Sequence, residues 1–286
     1  MVASSDDTQM PGKIVGRVAA LWRYPIKSML GENHSELVIT TRGVEGDRAW
    51  ALRDLASKRI ASAKKFPRLL EFRARYEDGA SDSSRVRITF PDGRAINVAD
   101  PGASQAISEA AGNAFALEHL PQPKESAGIN TATIFGDVPF DEVFPGLPAD
   151  KAPDFFNLHA GSFFDSASIH LIATGTLGYM RAQSANASDY DPRRFRANIL
   201  VDTADNDGGF VEDAWLSGML AIGDVRITAM QPALRCVMTT MNQQNLPRDL
   251  NILRQTVKLH NAKLGVFAAV ETGGTVRVGD PVILHT

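Results

Sequence analysis

The sequence predicts an α+β fold dominated by strands. Between Ile14 and Phe90, short runs rich in β-branched and aromatic residues (IVGRVAALWRYP, SELVITTRGV, RAWALRD, RLLEFRARYE, RVRITFP) are separated by glycine, aspartate and proline. A second set of such runs, FRANILVD, MLAIGDVRITAM and GVFAAVETGGTVRVGDPVIL, fills the C-terminal part. Helical spacing appears only in isolated stretches between them. Short strands at this spacing favour an antiparallel sheet or barrel.

In chain order, residues 1–13 are polar and acidic and read as a short disordered tail. The five β-rich runs follow. Ser104–Leu120 (SQAISEAAGNAFALEHL) has alanine-rich helical spacing, and 121–148 is a connection rich in proline and glycine. The second half opens with a helix in HLIATGTLGYMRAQS, for which Thr174 is the expected cap. The strand FRANILVD comes next, and its alternation places Arg194 and Arg196 on one side. After Pro247-Arg248-Asp249, the residues Leu250, Leu253, Val257 and Leu264 follow roughly helical spacing. The closing run reads as a hairpin about Gly273-Gly274, with Val276 and Val278 alternating against Arg277 and Gly279. Two β-rich domains, 14–120 and 149–286, are expected to pack as one body.

Composition narrows the function. A net charge of -3 with 22% charged residues gives no global reason to expect nucleic acid or acidic membrane as partner. Any anion site is therefore local. No run reaches the roughly 18 uninterrupted apolar residues of a membrane span, and the first residues do not form a signal peptide. One cysteine in 286 residues excludes an intramolecular disulfide, so a reducing, cytoplasmic setting is expected.

There is no GxGxxG after a strand, no Walker A loop, no GxSxG elbow, no HExxH and no CxxC pair. What stands out is RCVMTT, where Cys236 follows a strand-like segment and sits beside Arg235. A neighbouring cation favours thiolate, the form that attacks as a nucleophile or binds a soft metal. Taken alone, a single cysteine is more often a small buried hydrophobe. Two further clusters, RYPIKSMLGE with Arg23, Lys27 and Ser28 and GDRAW with Asp47 and Arg48, suit a phosphate, with ordinary surface cations as the bland alternative. In DPRRFRANILVD, Arg193, Arg194 and Arg196 precede Asn198, and ion pairs with nearby aspartates would explain them equally well. The scattered histidines, His34, His159, His170 and His260, read as structural.

Taken in order, RYPIKSMLGE, GDRAWALRD, SAKKFPRLLEFRA, RRFRANILVD, EDAWLSGMLAIGDVRITAMQPALRCVMTT and GVFAAVETGGTVRVGDPVIL resemble the landmark segments of MOSC proteins that carry the MOSC N-terminal β-barrel domain. The resemblance spans about Val15 to Leu284. It implies a β-barrel MOSC domain packed with the N-terminal β-rich domain. It also implies a molybdenum cofactor whose metal takes one protein cysteine, here Cys236, and, at family level, pyridoxal phosphate binding. By the same resemblance Lys27, Ser28 and Arg48 lie near the pterin and its phosphate. Arg196 and Asn198 line the cofactor, Arg235 joins them beside the thiol, and Thr174 and Thr176 fall where hydroxyl residues are common. The group includes the mitochondrial amidoxime-reducing component and bacterial reductases of N-hydroxylated bases. The implied activity is therefore reduction of an N-hydroxylated or N-oxygenated small molecule. Leu234 stands where that branch often has serine, and MNQQNLPRD where it is aspartate-rich. Without an appended iron–sulfur domain, electrons are expected from a separate donor protein. A persulfide carrier using Cys236 and a non-catalytic cofactor-binding module are the alternatives.

Overall fold

The structure is a computed structural model that describes residues 12–80, 82–120, 142, 146, 163–164, 166–184, 187–203 and 209–286. The expected tail up to residue 11 and nearly all of the expected connection lie outside these residues.

The first strand, β1 (Lys13–Arg23), is long because apolar side chains recur at Val18 and Leu21 with shorter residues between them. It is followed by β2 (Glu32–His34), β3 (Glu36–Thr40), β4 (Gly43–Val44) and β5 (Trp50–Asp54). Then come β6 (Arg73–Tyr76), β7 (Val86–Thr89), β8 (Ala95–Asn97), the helix α1 (Ala103–Ala111) and β9 (Phe115–His119). The second half holds β10 (Ile169–Ala173), α2 (Thr174–Ala182), β11 (Ile199–Asp202), β12 (Met219–Ile222), β13 (Val225–Leu234), α3 (Leu250–His260), β14 (Lys263–Thr272), β15 (Gly274–Arg277) and β16 (Pro281–His285).

Seven strands close a barrel in the order β1, β11, β10, β14, β13, β12, β16 and back to β1. Six of the seven come from the C-terminal half. The seventh is β1, whose N-terminal part pairs antiparallel with β16 (Lys13 with Leu284) and whose C-terminal part pairs with β11 (Leu21 with Ile199). A barrel has no open edge only if every strand has two neighbours. Without β1, the strands β11 and β16 would both be edges. The barrel core is built from inward residues such as Val18, Leu21, Leu171, Ile199, Val201, Leu220, Ile227, Val266 and Val282. A second core lies in the N-terminal half, where Ile26, Met29, Leu52, Phe72, Ile88, Ile107 and Phe115 pack between β5–β9, β6–β7–β8 and α1. Its first two residues, Ile26 and Met29, follow soon after the end of β1 at Arg23.

Five local expectations are corrected. The helix expected over Ser104–Leu120 ends at Ala111, because Gly112 turns into the left-handed region at φ 76°, and the rest becomes β9, paired with β5. Ile169–Ala173 is a strand, and Thr174 is the first residue of α2 rather than its cap. The segment 192–195 is a 3-10 turn, so strand alternation does not govern Arg194 and Arg196. The closing run is not a simple hairpin. β14 pairs with β13 and β10, whereas β15 leaves the barrel and pairs with β3 (Val276 with Leu37). Gly273 permits that departure, since a Cβ there would meet the Ile39 carbonyl oxygen at 2.6 Å. The helix after Asp249 forms as expected, with the Asp249 carboxylate accepting from the Asn251 N–H, but Leu264 belongs to β14.

A fragment beginning at residue 149 holds every barrel strand except β1. It is expected to give no cooperative thermal transition, whereas the whole chain does. A fragment that melts as sharply as the whole chain would show that β1 is dispensable.

Candidate functional site

The buried end of β1 leads straight into the site. The Tyr24 N–H donates to the Asp47 carboxylate at 2.6 Å, and the same carboxylate accepts from Asn198 Nδ2 at 3.0 Å and from the Arg48 guanidinium. Asp47 has no exposed side-chain surface. One buried carboxylate therefore joins the end of β1, the GDR turn and the residue before β11. Asn198 adds two bonds that fix the register, since its Oδ1 accepts from the His170 N–H at 3.2 Å and its own N–H donates to His170 O at 2.9 Å.

The Tyr24 ring lies between two cations, with the Arg48 guanidinium 4.6 Å and the Arg196 guanidinium 4.1 Å from its centroid. Burial pushes the Tyr24 hydroxyl up to about 12, against the lowering effect of the two arginines. Arg196 also donates to Met29 O at 2.5 Å. Ser28, Arg48 and Arg196 all adopt left-handed backbone, at φ 68°, 49° and 54°. Such strain in non-glycine residues costs of order 1 kcal/mol each and gathers at functional sites.

These residues face an open cleft lined from both halves of the chain. Lys27, Ser28, Arg48 and Lys64 enter it from the N-terminal half; Arg194, Arg196, Asn198, Arg235 and Cys236 enter from the other half. Phe164, Phe267, Leu234 and Met238 provide apolar wall. Six of the lining side chains are lysine or arginine, and no carboxylate stands among the described lining residues. Lys27 donates through Nζ to Phe163 O at 2.8 Å, and Ser28 Oγ accepts the Ala63 N–H at 3.0 Å. Arg194, only 1% exposed, gives its guanidinium to the carbonyls of Asp189, Met241 and Pro247.

Cys236 sits just past β13, half-buried, at the start of a 3-10 turn (Val237–Thr240) whose Thr239 hydroxyl donates to Cys236 O at 3.0 Å. Beside it, Arg235 is buried, with Nη1 3.2 Å from His170 Nε2 and 3.3 Å from Phe195 O. Burial first, then the charges of Arg235 and Arg48, hold the His170 imidazole well below its ordinary pKa. It is therefore neutral. A guanidinium can only donate, so His170 Nε2 accepts and the proton resides on Nδ1.

Of the residues singled out in the sequence, Cys236, Lys27, Ser28, Arg48, Arg196, Asn198 and Arg235 come together on this cleft. Thr174 and Thr176 are not among its lining residues. The Thr174 hydroxyl donates to Asp202 at 2.9 Å, and Thr176, fully buried, donates to the Glu212 carboxylate. Tyr24, Lys64 and His170 belong to the site although the sequence did not single them out as binding residues. Tyr24 and Lys64 at least lie inside the quoted segments RYPIKSMLGE and SAKKFPRLLEFRA. His170 gave no signal, because the strand that carries it was read as helix.

Two family models match the chain, the MOSC N-terminal beta barrel domain over residues 15–120 and the MOSC domain over residues 158–283. The chain belongs to the MOSC family. The boundary between the two models passes through the barrel, since β1 lies in the first and its partners β11 and β16 in the second. Among curated proteins, the chain is similar to mitochondrial amidoxime-reducing component 1 of Mus musculus, 23% identical across 94% of this chain and 82% of that one. It is also similar to mitochondrial amidoxime reducing component 2 of Rattus norvegicus, 25% identical across 94% and 83%. Among solved structures it is similar to the YuaD protein of Bacillus subtilis, at a TM-score of 0.48 and 11% identity over 96% of this chain and 98% of that one. No helix among the described residues is long and apolar enough to cross a membrane.

The Glu212 carboxylate behind Thr176 makes a separate test of the packing. It accepts from the Ala173 N–H at 2.7 Å, and burial pushes its pKa up from 4.5 to about 7. The folded state thus holds this proton more tightly than the unfolded chain does. The stabilisation is fully present below about 4.5 and is lost as pH rises through about 7. Against Glu212→Gln, which does not titrate, the wild type should lose about 3 kcal/mol of unfolding free energy between pH 4 and pH 8.5. Urea melts of both proteins across that range check it, and a constant difference would refute the raised pKa.

Proposed function

We propose that this MOSC protein binds a molybdenum cofactor in the cleft and reduces N-hydroxylated or N-oxygenated small molecules with electrons from a separate donor protein. One observation carries the reading: cations from both halves of the chain converge with its only cysteine on one cleft that shows no carboxylate among its described residues.

The donor set fits such a group. No cluster of three or more histidine, cysteine, aspartate or glutamate side chains able to hold a bare metal ion occurs among the described residues. A metal here would have to arrive with most of its own ligands, needing one soft protein donor, and Cys236 is that donor. A phosphate-bearing organic group needs cations and hydroxyls at its other end, which Lys27, Ser28 and Arg48 offer. When bound, the cofactor supplies the two-electron reduction of an N–O bond, with two protons taken up and water released.

The chain's own residues do the rest. Tyr24 and Asp47 hold Arg48 and Arg196 in place, Asn198 locks the barrel strand that brings them together, and neutral His170 steadies Arg235 without adding charge. Leu234, Phe164 and Phe267 give the cleft apolar wall against which a small organic substrate can lose its water. The names of the relatives, amidoxime-reducing components, support reduction of N–O compounds as the chemistry.

Protein produced in cells that make molybdopterin is expected to contain molybdenum close to one per chain and to reduce benzamidoxime with a reduced viologen dye. Cys236→Ala should lose the metal and the activity while keeping its melting temperature, since the thiol is half-buried. Equal metal in both proteins sinks the ligand assignment. A wild type carrying one extra sulfur on Cys236 by intact mass, and no pterin, would replace the reductase with a sulfur carrier.

A further inference from the structure

A further basic residue of the cleft is Lys64. It lies on the turn that precedes the 3-10 segment Pro67–Glu71, where the Ser62 carbonyl accepts from the N–H groups of Lys65 and Phe66 at 3.0 and 2.9 Å. The turn is fastened to the cleft by Ala63, whose N–H donates to Ser28 Oγ at 3.0 Å. That bond has two consequences. It uses Ser28 as an acceptor, so the hydroxyl proton is not spent on Ala63 and can be offered to a ligand. It also sets the residue after Ala63 against the cleft, and Lys64 is a half-buried lining residue there, together with Lys27 and Ser28.

The next residue provides the contrast. Lys65 is exposed, points to Asp54 at 3.5 Å and passes over the Phe66 ring, and is not part of the cleft lining. Two adjacent lysines on one turn are thus divided between the cleft and the outer surface. The lining around Lys64 includes three donors of the kind a phosphate uses, ammonium, hydroxyl and guanidinium, in Lys27, Ser28 and Arg48.

We propose that Lys64 is a phosphate-binding residue of the cleft, completing with Lys27 and Ser28 a cradle into which the 62–66 turn swings the second ammonium. Its assignment to the cofactor's phosphate rests on the reading of the cleft as a cofactor site. Its assignment as an anion contact stands on the turn and the lining alone. The turn's attachment through Ala63 makes the cradle one unit, so Ser28 and Lys64 are placed by the same hydrogen bond.

Two measurements test it on wild type, Lys64→Ala, Lys64→Arg and Lys65→Ala. The first is isothermal calorimetry of inorganic pyrophosphate binding to cofactor-free full-length protein. Lys64→Ala should bind about tenfold more weakly, the loss expected for one charge-assisted contact, while Lys64→Arg and Lys65→Ala stay close to wild type. The second is pterin retained after washing the loaded proteins at rising salt, read by fluorescence of the released, oxidised pterin. Lys64→Ala should lose pterin at lower salt than the other three. Equal weakening in Lys64→Ala and Lys65→Ala would show only a general charge effect and overturn the proposal, as would pyrophosphate binding by Lys64→Ala equal to wild type. A wild type that takes no pterin but binds pyrophosphate through Lys64 removes the cofactor reading and leaves the anion contact standing. Melting curves accompany each variant, and with Lys64 partly exposed on a turn they should coincide.

Discussion

The Asp47 carboxylate is the constraint on which the site depends. It is buried, and a buried charge is tolerated only when every lone pair has a partner. Here the partners are the Tyr24 N–H, the Asn198 amide and the Arg48 guanidinium, drawn from three separate parts of the chain. Each of those residues has a second task. Tyr24 offers its ring to Arg48 and Arg196, and Asn198 bonds both backbone groups of His170. Removing the carboxylate would release the cleft's arginines, the end of β1 and the entry to β11 together. Such a hub is strongly coupled, and its members would behave non-additively in double-mutant cycles.

The barrel and the cleft share this dependence on β1. As a strand it supplies the seventh stave, and its last residues emerge at the Asp47 hub, from which Lys27 and Ser28 follow within a few positions. The two cores are therefore continuous through one segment, although the family models separate them. Closure of the barrel fixes where β1 ends, and where β1 ends fixes where the phosphate-type residues stand. The left-handed conformations of Ser28, Arg48 and Arg196 are sustained because the surrounding bonds outnumber the local preference.

How much of this was legible follows from which signals are local. Strand-rich character and the α3 helix with its Asp249 cap could be read because alternation, turn residues and caps are written in adjacent residues. Cys236 and the clusters around Lys27, Arg48 and Arg196 were ambiguous when taken singly, and only the order of their segments, resembling MOSC proteins, pointed them at one site. The pairing of β1 with β11 and β16 was not readable, since nothing in IVGRVAALWR names partners so far along the chain as Ile199 and Leu284. Nor was the parting of β15 from β14 at Gly273, where a hairpin-like sequence meets a better neighbour in β3. Ala-rich spacing beyond Gly112 looked helical, and cross-strand pairing with β5 overrode it. The role of His170 was hidden for the same reason, as a buried histidine acquires meaning only from the arginine brought opposite it.

The way the cations are held bears on what the cleft can attract. A guanidinium can be kept in a protein by a carboxylate, which cancels its field, or by carbonyl oxygens and aromatic faces, which satisfy its hydrogens and leave its charge in place. Among the described partners the second arrangement prevails here. Arg194 is held by three carbonyls, Lys27 by one, Arg196 by a carbonyl and the Tyr24 face, and Arg235 by a carbonyl and a neutral imidazole. Arg48, by contrast, meets the Asp47 carboxylate. These described contacts orient the side chains through neutral partners, in a chain whose net charge is -3. Six cationic side chains gathered around one space suit an anionic ligand. The same gathering of cations adds to burial in keeping His170 neutral. Its protonation would place another positive charge against Arg235 in the same low-dielectric region.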